Sequence, residues 1–160
     1  MTFNTTDLCD EHGDLARVVV QPLVDFGARA HCSGPAVTVK CFEDNSHIKT
    51  LSMQSGEGRV LVVDGGGSHR CALLGDMIAE DLLKNGWAGV IINGCIRDKA
   101  ALAQLDIAIK ALGTSPRKSV KREEGQVGLT VNIGGQLIAN GDRIYADEDG
   151  VVVIDTLTSQ

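Results

Sequence analysis

The sequence predicts a single α/β domain, residues 1–160, whose C-terminal part consists of antiparallel strands. Two runs of β-branched residues, 59–63 and 88–92, are bounded by glycines, which is typical of buried strands in an α/β sheet. A helical pattern follows each run. From residue 127 onward, short apolar segments alternate with glycine turns and no helical pattern separates them. The length suits one hydrophobic core.

Capping residues, periodicity and turn residues define the other elements. In the first part we expect a helix from Thr5 to about Gly13, an unassigned stretch over 16–24, a loop or edge strand over 26–35, a strand with one buried face over 36–42, and a helix over 48–54 that follows a turn and cap at 44–46. After the strand at 59–63 we expect a glycine loop over 64–68, a turn over 70–74, a helix over 76–84, a strand over 88–92, a helix from Asp98 to about Leu112, a polar loop over 113–126, a hairpin of 127–133 with 136–139, and a strand–turn–strand over 142–154.

The composition excludes several classes of protein. The formal net charge is -6, so no excess of Lys and Arg is present to neutralise a nucleic-acid backbone. The basic residues of 117–122 are followed at once by Glu123 and Glu124, which predicts a solvated loop. No apolar run reaches the length of a membrane helix, and the N-terminus does not resemble a signal peptide. We therefore expect a cytoplasmic protein without nucleic-acid or membrane partners.

The five cysteines and four histidines do not form a metal or disulfide pattern. The cysteine number is odd and no pair has C-x-x-C spacing, which favours reduced and mostly buried thiols. The histidines lack H-x-H or H-E-x-x-H spacing, so we interpret all four as surface or structural residues. His69 alone follows the glycine loop and is a candidate for lining a pocket.

Three short segments carry possible chemistry. Gly65-Gly66-Gly67 can either bind phosphate through bare amides or shape a turn, and neither a Walker nor a dinucleotide pattern decides between them. Gly75-Asp76-Met77-Ile78 begins a helix, whose first-turn amides suit a small carboxylate; alternatively, Asp76 only caps that helix. Arg97-Asp98 follows an apolar strand, where Arg97 can hold a carboxylate and Asp98 a hard cation; alternatively, Asp98 caps the next helix.

The combination of these segments is more specific. Twenty residues separate Asp76 from Arg97-Asp98, within the context V-V-D-G-G-G and G-W-A-G-V-I-I-N-G-C-I-R-D. With Thr6 to Asp10, Val37 to Asn45 and Tyr145-Ala146-Asp147, this pattern resembles the family that joins the regulator of ribonuclease E activity A with the metal-dependent 4-hydroxy-4-methyl-2-oxoglutarate aldolases. The resemblance covers nearly the whole chain.

The resemblance implies a three-layer β/β/α swivelling-type fold with a central mixed sheet, a homotrimer, and active sites in clefts between subunits. It implies that the amides of Gly75, Asp76, Met77 and Ile78 bind the carboxylate of a 2-oxo acid, that Arg97 contacts its oxygens, that Asp98 ligates Mg²⁺ or Mn²⁺, and that Asp76 orients a metal-bound water. Family members that act only on ribonuclease tend to lack the Arg-Asp pair, which is present here. The longer aldolases have a C-terminal extension whose acidic residue reaches a neighbouring subunit, and this chain stops at Gln160. We expect that group to be missing, which leaves the physiological substrate open.

The chemistry agrees with this interpretation. A divalent metal and Arg97 can stabilise the pyruvate enolate that forms in retro-aldol cleavage and in oxaloacetate decarboxylation. A Schiff-base aldolase needs a desolvated lysine, and Lys40 and Lys99 are poor candidates by position. The hypothesis is a metal-dependent lyase. The alternatives are a non-enzymatic inhibitor of ribonuclease E, whose basic segments an acidic surface could meet, and a domain with a vestigial site.

Overall fold

The computed structural model describes residues 2–155 and is built around a nine-stranded sheet. The strands are β1 (Arg17–Val18), β2 (Val24–Asp25), β3 (Cys32–Lys40), β4 (Val60–Asp64), β5 (Ala72–Leu74), β6 (Gly89–Asn93), β7 (Cys95–Ile96), β8 (Ala108–Ala111), β9 (Gly113–Thr114), β10 (Gln126–Val127), β11 (Val131–Ile133), β12 (Gln136–Ile138), β13 (Arg143–Asp147) and β14 (Gly150–Ile154). The helices are α1 (Thr5–His12), α2 (Ser46–Ser52), α3 (Asp76–Lys84) and α4 (Lys99–Leu102), with a 3₁₀ turn at Gly13–Leu15.

The central sheet is mixed, as the sequence predicts. Its path runs β1-β14-β13-β3-β4-β6-β8-β2, and β10 pairs with β3 beside this path. The four middle strands β3, β4, β6 and β8 are parallel. Strands β13 and β14 form an antiparallel hairpin that continues the sheet on one side, and β2 closes the other side antiparallel to β8. The parallel part is where the predicted buried runs lie.

Three layers pack together, in agreement with the predicted β/β/α arrangement. Alternate side chains of β4 point to opposite faces of the sheet, since the side-chain period of a strand is two residues. Leu61 and Val63 pack with the buried faces of α2 and α3, whereas Val60 and Val62 pack with Val131 and its neighbours from the hairpin β11–β12. The helices therefore cover one face and β structure covers the other.

A second, three-stranded parallel sheet was not predicted. It consists of β5, β7 and β9, with β7 in the middle. Residues 70–74 were expected to form a turn, but Ala72–Leu74 is strand β5 and is fully buried. Each strand of this sheet has only two or three residues, which is too short for a periodicity to appear in the sequence.

The helix expected from Asp98 to about Leu112 is wrong in most of its length. Only Lys99–Leu102 is helical, and the chain then returns as β8, Ala108–Ala111, which is buried throughout. Strand β8 pairs in parallel with β6, from Gly89↔Ala108 to Ile91↔Lys110. The alanines and leucines of this stretch allow a helical spacing, but burial of the β-branched residues at the edge of the parallel strands favours the strand.

Other boundaries moved for similar reasons. Strand β3 begins at Cys32, within the expected loop, because its first half pairs with β13 and its second half with β4. It is buried on both faces rather than one, and Thr38 is fully buried. The hairpin around Gly134-Gly135 is confirmed, although its first strand is only Val131–Ile133. The unassigned stretch contains the short edge strands β1 and β2.

The cysteine prediction is confirmed, since all five are free thiols and four of them are buried. Among residues 2–155, each helix falls short of the length and apolar character that a membrane crossing requires.

Candidate active site

The carboxyl ends of the three short parallel strands meet at one edge. Gly75 follows β5, Arg97 follows β7, and Ser115 follows β9. The Arg97 N–H donates to Leu74 O at 2.9 Å, and the Ser115 N–H donates to Ile96 O at 2.9 Å, so the three segments lie side by side. Ligands of open α/β sheets collect at the carboxyl ends of strands. From the sequence we expected Arg97-Asp98 at the carboxyl end of the strand at 88–92. In the structure these residues follow β7 of the small sheet instead.

Asp98 contacts the start of a helix that is distant in sequence. Its backbone is left-handed, with φ 58° and ψ 41°, which is uncommon for a residue other than glycine. Its Oδ2 accepts the N–H of Asp76 at 3.0 Å. Asp98 does occupy the N-cap position of α4, and its carbonyl oxygen accepts the Leu102 N–H at 2.9 Å, but its side chain makes no cap bond to that helix. The convergence of Asp76 and Asp98 is therefore observed.

Gly75 lies directly against both Asp98 and Arg97. A Cβ at Gly75 would stand 2.7 Å from Asp98 Oδ2 and 3.4 Å from Arg97 Nε. The first distance is shorter than any ordinary carbon–oxygen contact. The backbone of Gly75 is extended, with φ -131°, so the glycine is needed for space and not for its conformation.

The amides of the first turn of α3 are only partly bare. Asp76 donates its N–H to Asp98, and the first helical bond runs from the Ala79 N–H to Gly75 O at 3.1 Å. The amides of Met77 and Ile78 precede Ala79, the first residue whose N–H donates within the helix, and no acceptor within residues 2–155 pairs with them. Asp76 makes no cap bond from its side chain. A ligand carboxylate would therefore meet two amides rather than the whole predicted row.

These groups border a cavity of about 140 Å³. Its wall combines carboxylates, cationic side chains and apolar residues of β5 and α3. The lining residues are Asn45, Lys49, Ala72, Leu74, Gly75, Asp76, Met77, Ile78, Asp81, Arg97, Asp98, Lys118 and Lys121. Arg97 and Asp76 are half-buried, whereas Asp98 is exposed. All the predicted site residues therefore line one cavity.

The three lysines of the cavity were missed in the sequence. Lys49 lies on α2, while Lys118 and Lys121 belong to the loop 115–124 after β9, which we call the lysine loop. The sequence analysis interpreted this loop as solvated, and both lysines are indeed exposed. Only the position of β9 beside β7 shows that the loop reaches the cavity. The basic cluster at 117–122 was the available signal.

Other candidate residues lie elsewhere. Lys99 points its Nζ toward the Phe26 ring, 5.9 Å from the ring centre, and Lys40 is exposed on β3. Neither lines the cavity, and the lysines that do are exposed, so no lysine there has the desolvated setting that Schiff-base chemistry requires. His69 Nδ1 lies 3.3 Å from Cys95 Sγ and does not line the cavity.

The glycine loop after β4 uses its amides internally. The N–H groups of Gly65 and Gly67 both donate to Asn93 O at 3.1 Å, and the Gly66 N–H donates to Asp64 Oδ1 at 3.0 Å. Donors that are already satisfied in this way are poorly suited to a phosphate. Of the two roles left open by the sequence, the structure favours shaping the turn.

The donor set of the cavity fits a hard divalent cation. Asp76 and Asp98 supply carboxylate oxygens, and within residues 2–155 the Oδ1 of Asp98 has no hydrogen-bond partner. Mg²⁺ is typically held by one or two carboxylates and keeps several waters or substrate oxygens as its other ligands. The one cluster of three potential ligands among the described residues, His31, Asp147 and Glu148, lies elsewhere.

Fold and site together define a class of α/β protein with a small, charge-lined cavity at the ends of short parallel strands. The chain belongs to the RraA-like family, Aldolase/RraA, whose model matches residues 5–153. A relative from Alkalilimnicola ehrlichii is 54% identical over 153 residues, with 96% of this chain and 95% of that protein covered; its provisional name is 4-hydroxy-4-methyl-2-oxoglutarate aldolase.

Solved structures of relatives have different names. The RNA-processing inhibitor RraA from Thermus thermophilis is 37% identical, with a TM-score of 0.92 and coverage of 96% of this chain and 93% of that one. A structure from Geobacillus kaustophilus, named S-adenosylmethionine:2-dimethylmenaquinone methyltransferase, is 43% identical, with a TM-score of 0.93 and coverage of 97% and 98%. Since these names differ, the site itself must decide the function.

Proposed function

We propose that the chain is a divalent-metal-dependent lyase that cleaves 4-hydroxy-4-methyl-2-oxoglutarate to pyruvate and also decarboxylates oxaloacetate. The observation that carries this proposal is the contact of the Asp98 carboxylate with the start of α3, which gathers Asp76, Arg97 and two bare amides around one small cavity. Membership of the Aldolase/RraA family supports aldolase chemistry in general.

Each residue has a role that its position supports. The amides of Met77 and Ile78, at the positive end of the α3 dipole, bind the C1 carboxylate of the substrate. Arg97 binds the C2 oxygen and stabilises negative charge there. Asp98 holds Mg²⁺ or Mn²⁺, which when bound supplies Lewis-acid stabilisation of the enolate and lowers the pKa of water. Asp76 carries the proton that returns to C3 through an adjacent water.

The cleavage conserves atoms and electrons. The C4 hydroxyl loses its proton, the C3–C4 bond breaks, and the released electron pair forms the enolate of pyruvate. The C4 fragment leaves as a second pyruvate, and protonation of C3 completes the first. In oxaloacetate the bond from C3 to the distal carboxylate breaks instead, carbon dioxide leaves, and the same enolate remains. One arrangement of Arg97 and the cation therefore serves both reactions.

The lysines of the cavity are suited to bind the second carboxylate of these substrates. Both substrates have a distal carboxylate in addition to the one at C1. Lys49, Lys118 and Lys121 border the cavity beyond Arg97 and Asp98, and no ion pair within residues 2–155 neutralises them. They can attract a dianion and orient its distal end.

Pyruvate release tests the proposal. The purified chain should form pyruvate from 4-hydroxy-4-methyl-2-oxoglutarate and from oxaloacetate when Mg²⁺ or Mn²⁺ is present. EDTA should abolish the activity and excess metal should restore it. Pyruvate formation no faster than the metal-catalysed background would contradict the proposal.

We also propose that the protein is a homotrimer with each cavity in a cleft between subunits. Met77 is 76% exposed at the edge of the cavity, and such an apolar side chain favours cover by another surface. Size-exclusion chromatography with multi-angle light scattering gives the mass of the assembly directly. A monomer at micromolar concentration would contradict this part of the proposal and leave the lyase assay unaffected.

Inhibition of ribonuclease E is the second candidate function. Similarity to the RNA-processing inhibitor from Thermus thermophilis supports it. The net charge of -6 suits basic segments on a protein partner. Purified ribonuclease E should bind the chain and lose activity in a salt-dependent manner, and absence of binding at low salt would contradict this function.

A further inference from the structure

A buried carboxylate lies behind the lysines of the cavity. Asp44 follows β3 and is only 2% exposed. Its Oδ1 accepts the Ser46 N–H at 2.9 Å and the Ser46 hydroxyl at 2.5 Å. Its Oδ2 accepts the Arg122 N–H at 2.7 Å and the Glu124 N–H at 3.1 Å. One side chain therefore joins the start of α2 to the end of the lysine loop.

The lysine loop folds around this carboxylate. The Glu123 N–H, between the two amides held by Asp44, donates to the Ser46 hydroxyl at 3.0 Å. Glu123 has φ 57°, a left-handed conformation that a residue other than glycine adopts at some cost. Three successive amides are held by Asp44 and Ser46 together, two by the carboxylate and the middle one by the hydroxyl. The loop thus takes its shape from the negative charge of Asp44.

The hydrogen bonds keep this carboxylate charged. Burial acts to raise the pKa of Asp44, but bonds from the side chain and backbone of Ser46 and from the backbone of Glu124 and Arg122 outweigh burial and lower the pKa to about 2. Asp44 is therefore ionised at neutral pH.

The other end of the loop is fixed independently. Ala72 donates its N–H to Arg117 O at 2.7 Å, and Ala72 also forms a β-bridge with Lys118. The Asn45 N–H donates to the Ser119 hydroxyl oxygen at 3.2 Å. Lys118 and Lys121 thus lie between one anchor at β5 and another at Asp44. The position of Lys49 depends on the same anchor, because Lys49 lies on α2, and Ser46, which Asp44 binds, is the first residue of that helix.

We propose that Asp44 is a positioning residue, which holds the lysine loop and α2 so that Lys49, Lys118 and Lys121 face the distal carboxylate of a dicarboxylic 2-oxo acid. The proposal rests on the proposed function for the identity of the substrate. Asp44 does not line the cavity, although the next residue, Asn45, does. The proposed effect of Asp44 on the reaction passes through the positions of the lysines.

The test compares a ligand with two carboxylates and a ligand with one. We expect Asp44→Asn to weaken calorimetric binding of 2-oxoglutarate, in the presence of Mg²⁺, by about tenfold and to leave pyruvate binding within about twofold. In kinetics, KM for oxaloacetate should rise more than kcat falls, and exchange of the pyruvate methyl protons with solvent deuterium should persist. Equal losses for both ligands, or no loss for either, would overturn the proposal.

Two variants make the result independent of folding defects. Ser46→Ala removes only the hydroxyl shared by Asp44 and Glu123 and should give the same selective loss at smaller size, even if Asp44→Asn does not fold. Asp147→Asn is the matched control, because Asp147 is also a 2% exposed carboxylate that accepts backbone N–H groups, but far from the lysines. A selective loss of 2-oxoglutarate binding in the control would contradict the proposal.

A double-mutant cycle identifies the route of the effect. Because Asp44 acts in part through Lys121, Asp44→Asn combined with Lys121→Ala should lose less 2-oxoglutarate affinity than the sum of the two single losses. Strictly additive losses of 2-oxoglutarate affinity would overturn the proposal that Asp44 acts through this lysine. The binding measurements need no turnover. A selective loss of 2-oxoglutarate binding in Asp44→Asn, together with a wild type that releases no pyruvate from oxaloacetate, would therefore refute the lyase function and still support Asp44 as a positioning residue.

Discussion

The cavity at the ends of β5 and β7 differs from a larger hollow beside α1. The hollow has a volume of about 780 Å³ against about 140 Å³. Its cationic side chain is already paired, since Arg29 makes two hydrogen bonds with Asp106, and His31 Nδ1 lies 3.3 Å from Glu148. The unpaired charges that remain among its described lining residues are of one sign, the carboxylates of Asp7 and Glu11. In the small cavity, no ion pair within residues 2–155 involves Arg97 or Asp98. Unpaired charges of both signs that converge on one cavity, rather than volume, distinguish the candidate site.

If the small cavity and not the hollow carries the reaction, removal of the proposed metal ligand should cause the largest loss of activity. Asp98→Ala should reduce pyruvate release by about a thousandfold. Asp98→Asn should be nearly as inactive, because an amide binds a hard cation weakly, yet it keeps an oxygen that can accept the Asp76 N–H. The two variants therefore separate metal binding from the support of α3.

Calorimetry and thermal unfolding give the readouts for Asp98. Titration with Mn²⁺ should show loss of binding in both variants, while the unfolding midpoint should fall in the alanine variant only. Full activity in either variant would show that the metal, if one is used, lies elsewhere. In that case the cluster at His31 would be the next site to examine.

Arg97→Lys should have the second largest effect. Lysine keeps the positive charge but loses the planar, two-pronged geometry of the guanidinium. We expect kcat/KM for oxaloacetate to fall by about a hundredfold, mostly through kcat. Lys99→Arg is the control, since Lys99 is the next cation along the chain and faces Phe26. Equal losses in both variants would indicate a general charge effect.

Gly75→Ala tests how tightly the site is packed. The added Cβ would stand 2.7 Å from Asp98 Oδ2, so the carboxylate must move. We expect kcat/KM to fall by about tenfold and Mn²⁺ affinity to weaken in parallel. Gly86→Ala is the control: its Cβ meets nothing within 4 Å, although φ 81° strains an alanine. It should lower stability without changing metal affinity.

The candidate site was predictable from the sequence only in part. Asp76, Arg97 and Asp98 were found because a family pattern fixes their spacing, and the glycine at position 75 was part of that pattern. The left-handed backbone of Asp98 and its bond to Asp76 depend on contacts between distant segments, which no local rule contains. Lys118 and Lys121 were missed because β9, which places them, has two residues. Short strands are set by their neighbours and not by their own periodicity.

The helix expected over 98–112 failed for a related reason. Its spacing of Ala101, Leu105 and Ala108 satisfies a helical period, but the same residues include Ile107 and Ile109, which are almost completely buried in the sheet. Tertiary packing decides between two local patterns that the sequence supports equally. The long runs at 59–63 and 88–92 were predictable because glycines limit them and no helical period competes.

A change in the larger hollow should hardly affect turnover. His31→Ala removes a ring contact with Phe3, whose centroid is 5.3 Å away, and the 3.3 Å contact of its Nδ1 with Glu148 Oε1. We expect kcat/KM to remain within about twofold and the free energy of unfolding to fall by about 1 kcal/mol. A loss of activity comparable to that of Arg97→Lys would mean that the hollow takes part in the reaction, and the comparison would be wrong.

The smallest expected effect on turnover belongs to Asp147→Asn, which acts on stability through pH. Burial acts to raise the pKa of Asp147, but bonds from the Thr5 N–H and hydroxyl, from the Asp149 N–H, and the nearby His31 lower it on balance. A carboxyl whose pKa is lower in the folded state stabilises the protein above its unfolded pKa, about 3.9, and loses that contribution as the pH falls through the folded value. Urea unfolding should therefore show the wild type more stable than the variant near pH 7, with a difference that shrinks below about pH 4. A difference that stays constant with pH would mean that the carboxylate at 147 holds α1 by shape and not by charge.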